Sequence, residues 1–130
     1  MAETITGIDH AIILVTDLDR AAATYRRLGF TLTERGHHTK LGTHNHCMML
    51  RDDYLEILGV AEPGIVSPRW TEILADREGP VAAALATDDA EAAAAELARR
   101  GLAVGEAVRF ARPVDLPEGR REARFVVTHL

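Results

Sequence analysis

The first apolar run of the chain covers residues 5–15 and is broken only by Thr6, Gly7, Asp9 and His10. It is too short and too rich in isoleucine and valine for a good helix, so it reads as a strand buried on both faces. Thr16 and Asp17 end it, and Asp17 can cap a helix over residues 18–28. Leu18, Ala21, Ala22 and Tyr25 fall on one face of that helix, and Gly29 stands where a terminating glycine belongs. Three short strands are predicted at residues 30–35, 45–50 and 54–60, separated by the stretch 36–43 and by a turn at Asp52 and Asp53. The first sixty residues therefore read βαβββ.

The same pattern returns. Residues 81–87 are apolar, Asp88 and Asp89 offer a cap, residues 90–100 are helical, Gly101 closes the helix, and strands are predicted at 102–109 and 122–130. A shift of about 72 positions places Asp17 on Asp89, Ala21 on Ala93, Arg27 on Arg99 and Gly29 on Gly101. Two alanine-rich helices would explain the alanine matches but not the matched caps, so the pattern is read as an internal duplication. Residues 61–80 carry three prolines, with a short helix at 71–77 and Trp70 as an anchor. The expected organisation is one α+β domain of two tandem βαβββ modules, residues 1–60 and 81–130, joined by 61–80. The second module would lack its last strand. An open sheet edge invites a second chain, so a homodimer is expected.

Composition narrows the function classes. At 130 residues the chain has the size of one domain, and its net charge is −5 with a pI near 5.6. The basic residues are dispersed, which argues against a nucleic-acid partner. No apolar run approaches the roughly eighteen residues of a membrane span. A single cysteine, Cys47, leaves no internal disulfide and fits a reducing, cytoplasmic setting. Cys47 itself reads as a small buried hydrophobe rather than a nucleophile.

Candidate chemistry begins with Glu56, a carboxylate inside a predicted interior strand. Such a group is costly unless it is paired or coordinated. His10, inside the first strand, reads as either a hydrogen-bonded core histidine or a ligand, and the two could be partners. Alternation puts Ile12 and Leu14 on the face of His10, and Tyr54 and Leu58 on the face of Glu56. His37, His38, His44 and His46 gather near one hairpin. The first two read as its polar tip, whereas His44, Asn45 and His46 are candidates to face the site. Arg109 and Arg112, beside Phe110, offer planar donor forks suited to a carboxylate or phosphate, the other reading being solvated surface arginines.

The repeated βαβββ order, the opening Gly7-Ile8-Asp9-His10-Ala11 and the closing Tyr54-Leu55-Glu56-Ile57 resemble the vicinal oxygen chelate superfamily. That group comprises glyoxalases, extradiol dioxygenases, epimerases and bleomycin-resistance proteins. Gly42-Thr43-His44-Asn45 and Ala84-Leu85-Ala86-Thr87-Asp88-Asp89 look most like its glyoxalase-like domain proteins. The resemblance, rather than periodicity, implies a rolled mixed sheet around a cavity. It also implies that His10 and Glu56 occupy two metal-ligand positions for a divalent ion such as Zn, Fe, Mn, Ni or Co. It leaves His44 or His46 to complete the set and makes Glu56 the catalytic candidate. Ile12, Leu14, Asn45, Tyr54, Leu58, Arg109 and Arg112 become the candidates for substrate contact. The second module departs from the pattern, because Ala82 or Val81 stands at the position equivalent to His10. The implied function is a small-molecule lyase, isomerase or oxygenase acting on vicinal oxygens. The alternative is a metal-free binding or sequestration protein of the bleomycin-resistance type. Glutathione-dependent glyoxalase activity is not expected. A ferredoxin-like regulatory module would share the helix-and-strand pattern but would not call for an interior carboxylate.

Overall fold

A computed structural model describes residues 4–130. The elements run β1 (Gly7–Val15), α1 (Leu18–Arg27), β2 (Gly36–His38), β3 (Thr43–Met49), β4 (Tyr54–Val60), α2 (Pro68–Asp76), β5 (Gly79–Ala86), α3 (Ala90–Arg99), β6 (Val108–Leu116) and β7 (Gly119–Val127). Strands β1 to β5 form one sheet in the order β2-β3-β4-β1-β5, and β6 and β7 form a second, two-stranded sheet. The architecture is α+β, as expected, and none of its helices is long and apolar enough to cross a membrane.

The chain divides into two compact units. In the unit Ile8–Ala84, β1 pairs in parallel with β4, while β3 is antiparallel to both β2 and β4. Asp17 caps α1 by accepting from the Arg20 amide, and the buried Leu18 and Ala22 lie on its inner face. Alternate residues of β1 and β4, with Met48 of β3, pack toward this helix. Val15, Leu18, Met48 and Ile57 form the buried cluster, with Ile13, Ala21, Tyr25, Leu32 and Leu55 packed around it. Burying such side chains contributes about 1.5–3 kcal/mol each, which pins the strand register. The alternate residues are thereby committed to the opposite face.

The other unit comprises Leu85–Leu130 with the described residues before Ile8. It repeats the helix motif closely. Asp89 caps α3 by accepting from the amides of Glu91 and Ala92, and Gly101 follows with φ 90°, as Gly29 follows α1 with φ 97°. Asp19 of α1 pairs with Arg35, and Glu91 of α3, 72 positions later, pairs with Arg109. Each helix is thus clasped to its own following segment by the same acid in its first turn.

Several expected boundaries move. Residues 30–35 are not a ladder strand; they are tied to β3 through Thr33, whose amide donates to the Cys47 carbonyl and whose hydroxyl accepts from the Cys47 amide. The short strand instead falls at Gly36–His38, inside the stretch expected to be a loop. Residues 102–107 are irregular, and β6 starts at Val108 and runs through Pro113, where a loop was expected. A two-stranded ribbon has free edges, so the missing proline N–H breaks no ladder. The first strand is buried only toward its end, since Ile8 is 61% exposed whereas Leu14 is fully buried. Helix α2 begins at Pro68 rather than residue 71 because proline suits the first helical turn.

Gly42 turns the chain from β2 into β3 with φ 65°, and a Cβ there would lie 2.7 Å from the Val66 amide nitrogen and 2.8 Å from the Glu62 carbonyl oxygen. Gly64 lies nearby in open space. Gly42→Ala should cost about 2 kcal/mol or more, from left-handed strain and backbone collision, whereas Gly64→Ala should change stability by less than about 0.5 kcal/mol. Equal urea midpoints for the two variants would contradict this.

Candidate functional site

The face of the larger sheet opposite α1 is set by cross-strand register. His10 lies opposite Tyr54, Ile12 opposite Glu56, and Leu14 opposite Leu58 along the parallel β1–β4 pair. Across the antiparallel β3–β4 pair, Asn45 lies opposite Leu58 and Cys47 opposite Glu56. One face therefore gathers His10, Ile12, Leu14, Asn45, Cys47, Tyr54, Glu56 and Leu58. Seven of these were singled out from the sequence, Cys47 being the exception for chemistry.

Glu56 is the centre of this face. Its side chain is 9% exposed, one oxygen lies 3.2 Å from His10 Nε2, and the other accepts from Asn45 Nδ2 at 2.6 Å. The opposite nitrogen of the same imidazole, Nδ1, lies 2.6 Å from the Asp9 carboxylate. Tyr54 stacks on the His10 ring at 4.4 Å with an interplanar angle of 14°. Asp9, His10 and Glu56 thus form a carboxylate–imidazole–carboxylate chain from a half-exposed acid to a buried one.

Protonation follows from this geometry. Burial alone would lower the His10 pKa, but hydrogen bonds and charge from Glu56 and Asp9 outweigh it and hold the imidazole above its ordinary value. Burial alone would raise Glu56, but hydrogen bonds from His10 and Asn45, with positive charge on His10 and His38, hold it below the ordinary glutamate range. An imidazole flanked by two carboxylates donates at both nitrogens only when protonated. Both shifts favour the imidazolium–carboxylate form of the pair. Asn45 commits its amide group to Glu56, and its buried Oδ1 has no partner among the described residues. An unsatisfied buried acceptor costs about 1–3 kcal/mol, which Asn45 bears while fixing Glu56 in place.

The expected contributions of His44 and His46 do not fit. Strand alternation sends both to the helix side. His44 lies opposite Gly59, where its Nε2 would stand 2.7 Å from an added Cβ, and burial together with the charges of Arg35 and His37 lowers its pKa. His46 Nδ1 bonds the Thr33 carbonyl at 2.8 Å. The β3 strand starts at Thr43, so the odd-numbered residues, not the histidines, share the face of Glu56. His38, read as a polar hairpin tip, is on that face instead, opposite Thr43 and bonded to its hydroxyl at 3.0 Å. The signal that could have found it is parity, since His38 pairs across the hairpin with an odd position of β3.

Arg109 and Arg112 do not form one cluster. They stand on opposite faces of the β6–β7 hairpin, three residues apart, and Arg109 is the clasp to Glu91 of α3. Arg112 is half-buried on the other face.

The donor set for a divalent ion is short. His10 Nε2 and Glu56 have suitable chemistry, but catalytic zinc sites typically use three protein ligands. Among the described residues no three His, Cys, Asp or Glu side chains converge to hold a metal. These residues alone do not make a resident metal site.

The sequence matches the family described as "Glyoxalase-like domain" over residues 8–130. The chain belongs to that family. Comparison with curated protein sequences yields no match. Among solved structures, the glyoxalase-like domain is similar to Streptomyces coelicolor methylmalonyl-CoA epimerase in complex with 2-nitronate-propionyl-CoA, at 26% identity and TM-score 0.68, covering 77% of this chain and 73% of that one. The methylmalonyl-CoA epimerase of Mycobacterium tuberculosis aligns at 22% identity and TM-score 0.73, over 87% of this chain and 79% of its own. A hypothetical protein from Staphylococcus aureus aligns at 21% identity and TM-score 0.72, over 95% of this chain and 52% of its own. The fold is that of the vicinal oxygen chelate superfamily, and the domain is a small-molecule enzyme or binder of that class.

The pair gives the glyoxalase-like domain a signed pH dependence. The raised His10 contributes stability that is complete below about pH 6.5 and is lost as pH rises through its folded value. The depressed Glu56 contributes stability that is complete above about pH 4.3 and is lost as pH falls through its folded value. Between these limits His10→Ala should cost roughly 1–3 kcal/mol, because it strands a buried carboxylate. Urea unfolding across pH 5–9 checks this. The gap between wild type and His10→Ala should narrow on the alkaline side, and a gap that widens there would contradict the assignment.

Proposed function

We propose that this glyoxalase-like domain is an isomerase-type enzyme for a small molecule with vicinal oxygens, with Glu56 as the group that takes a proton from carbon beside a carbonyl. The observation that supports this reading is the buried, ionised Glu56, aimed by Asn45 and balanced by His10. The lowered pKa of Glu56 keeps the carboxylate unprotonated at neutral pH at some cost in basicity, and general-base catalysis typically contributes about 10²–10⁴ in rate. The His10 imidazolium supplies positive charge beside the developing enolate, and Ile12, Leu14, Tyr54 and Leu58 give the face an apolar ground in which that charge acts strongly. The similarity to methylmalonyl-CoA epimerases supports an acyl thioester of a branched diacid as the first compound to try.

The metal-dependent form of the reading needs donors beyond His10 and Glu56. That shortfall favours the second reading, a metal-free protein that binds such a compound without turnover, as bleomycin-resistance proteins do.

Deuterium uptake from D₂O into methylmalonyl-CoA, followed by NMR, tests the first reading. The chain as purified, and again after addition of Zn, Fe, Mn, Ni or Co, should exchange the carbon-bound proton, with Glu56→Gln slower by roughly 10²–10⁴. Exchange that is indifferent to Glu56→Gln would overturn it. Binding without exchange under every metal condition would establish the second reading instead. The methylglyoxal–glutathione hemithioacetal is expected to turn over no faster than background.

A further inference from the structure

The β6–β7 hairpin sorts its charges between two faces. Asp115 and Arg120 are cross-strand partners on the face of Arg109, and Glu122 and Arg124 pair on that same face. The opposite face carries Val108, Phe110, Arg112 and Val114 from β6, with Val127, Phe125, Ala123 and Arg121 opposite them from β7. No acidic residue of either strand lies there. Phe110 and Phe125 stack at 5.0 Å with an interplanar angle of 19°. Arg112 stands over the small Ala123, next to the stacked rings, and is half-buried. Arg121 is its diagonal neighbour across the ladder, about 7–8 Å away, and has only a long 3.9 Å contact to Glu118 in the turn.

Two like charges on one apolar face repel unless an anion lies between them. Glu118 in the turn lies 3.9 Å from Arg121, and the other acids nearby are engaged elsewhere: Asp115 with Arg120, Glu122 with Arg124, and Glu91 with Arg109. Guanidinium groups present planar forks that match the oxygens of a carboxylate or phosphate. Stacked aromatic rings offer a flat apolar surface beside them.

We infer that the half-buried face of the β6–β7 hairpin, opposite Arg109, binds a small oxyanion carrying a flat apolar body, with Arg112 as the principal anchor, Arg121 as the second cation and Phe110–Phe125 as the platform. The reading of Glu56 as a base is not needed for it, because binding is measured without turnover.

Amide NMR titration of the full chain with phenyl phosphate, benzoate and the neutral benzamide tests it. The two anions should shift signals of residues 108–127, and benzamide should not; whichever anion binds more tightly identifies phosphate or carboxylate as the preferred group. Arg112→Gln should weaken anion binding by at least about tenfold, with Arg112→Lys intermediate because it keeps the charge and loses the fork. Arg112 is only half-buried, so both variants should retain the amide spectrum of the folded chain. Equal binding of benzamide, undiminished binding by Arg112→Gln, or shifts confined to β1 and β4 would overturn the inference.

Discussion

The interaction on which the larger unit turns is the burial of an ionised carboxylate in the middle of a sheet. Glu56 occupies a strand whose neighbours are almost all apolar, at a position 7% exposed. A charge there is tolerated only with partners, and the fold supplies them from two different strands: His10 from the parallel neighbour and Asn45 from the antiparallel one. These contacts fix register from both sides of β4. A slip of one residue in β3 would bring a histidine to the place of Asn45 and send Asn45 into the helix packing. The polar group thus reinforces the same alignment that Met48 and Ile57 impose on the other face.

The same demand explains what could be read from the chain alone. A carboxylate in an apolar run is visible in any sequence, and so is the need for a partner, so the association of Glu56 with His10 was legible. The helices were legible too, because their aspartate caps and closing glycines are local signals. Strand limits were less so. The expected strand at residues 30–35 has the composition of a strand, but Thr33 spends its hydrogen bonds on Cys47 and His46 and leaves no regular ladder. The histidines of β3 were misjudged for a similar reason. Which face a strand residue occupies depends on where pairing begins, and nothing between Gly42 and His46 states whether odd or even positions face the helix. That parity is settled by Met48 packing under α1, a long-range contact.

Asp9 shows the limit of reasoning from burial. It is about half exposed, so no desolvation cost marks it, yet its 2.6 Å contact with His10 Nδ1 fixes the orientation of the imidazole. A carboxylate behind a histidine governs which nitrogen carries its proton, whether the group in front is a base, a substrate or a metal. With Glu56 on the other side, the imidazole is drawn toward its charged form. A metal competes with that proton for Nε2, so any ion-binding by this pair weakens as pH falls.

The two capped helices, α1 and α3, accompany different chemistry. Both helices carry an acid in the first turn, Asp19 and Glu91, and each clasps an arginine of the segment that follows. On one face of the first unit's sheet stand an imidazole and a buried carboxylate. On the face of the hairpin opposite Arg109 stand two phenylalanines and two arginines. The position 72 residues after His38 is Phe110, and the one after His10 is Ala82, so apolar residues stand where the first half carries these histidines. A guanidinium does not titrate near neutral pH and cannot serve as a base. What the two units share is a capped helix and its clasp, while one sheet face carries titratable groups and the hairpin carries permanently cationic ones.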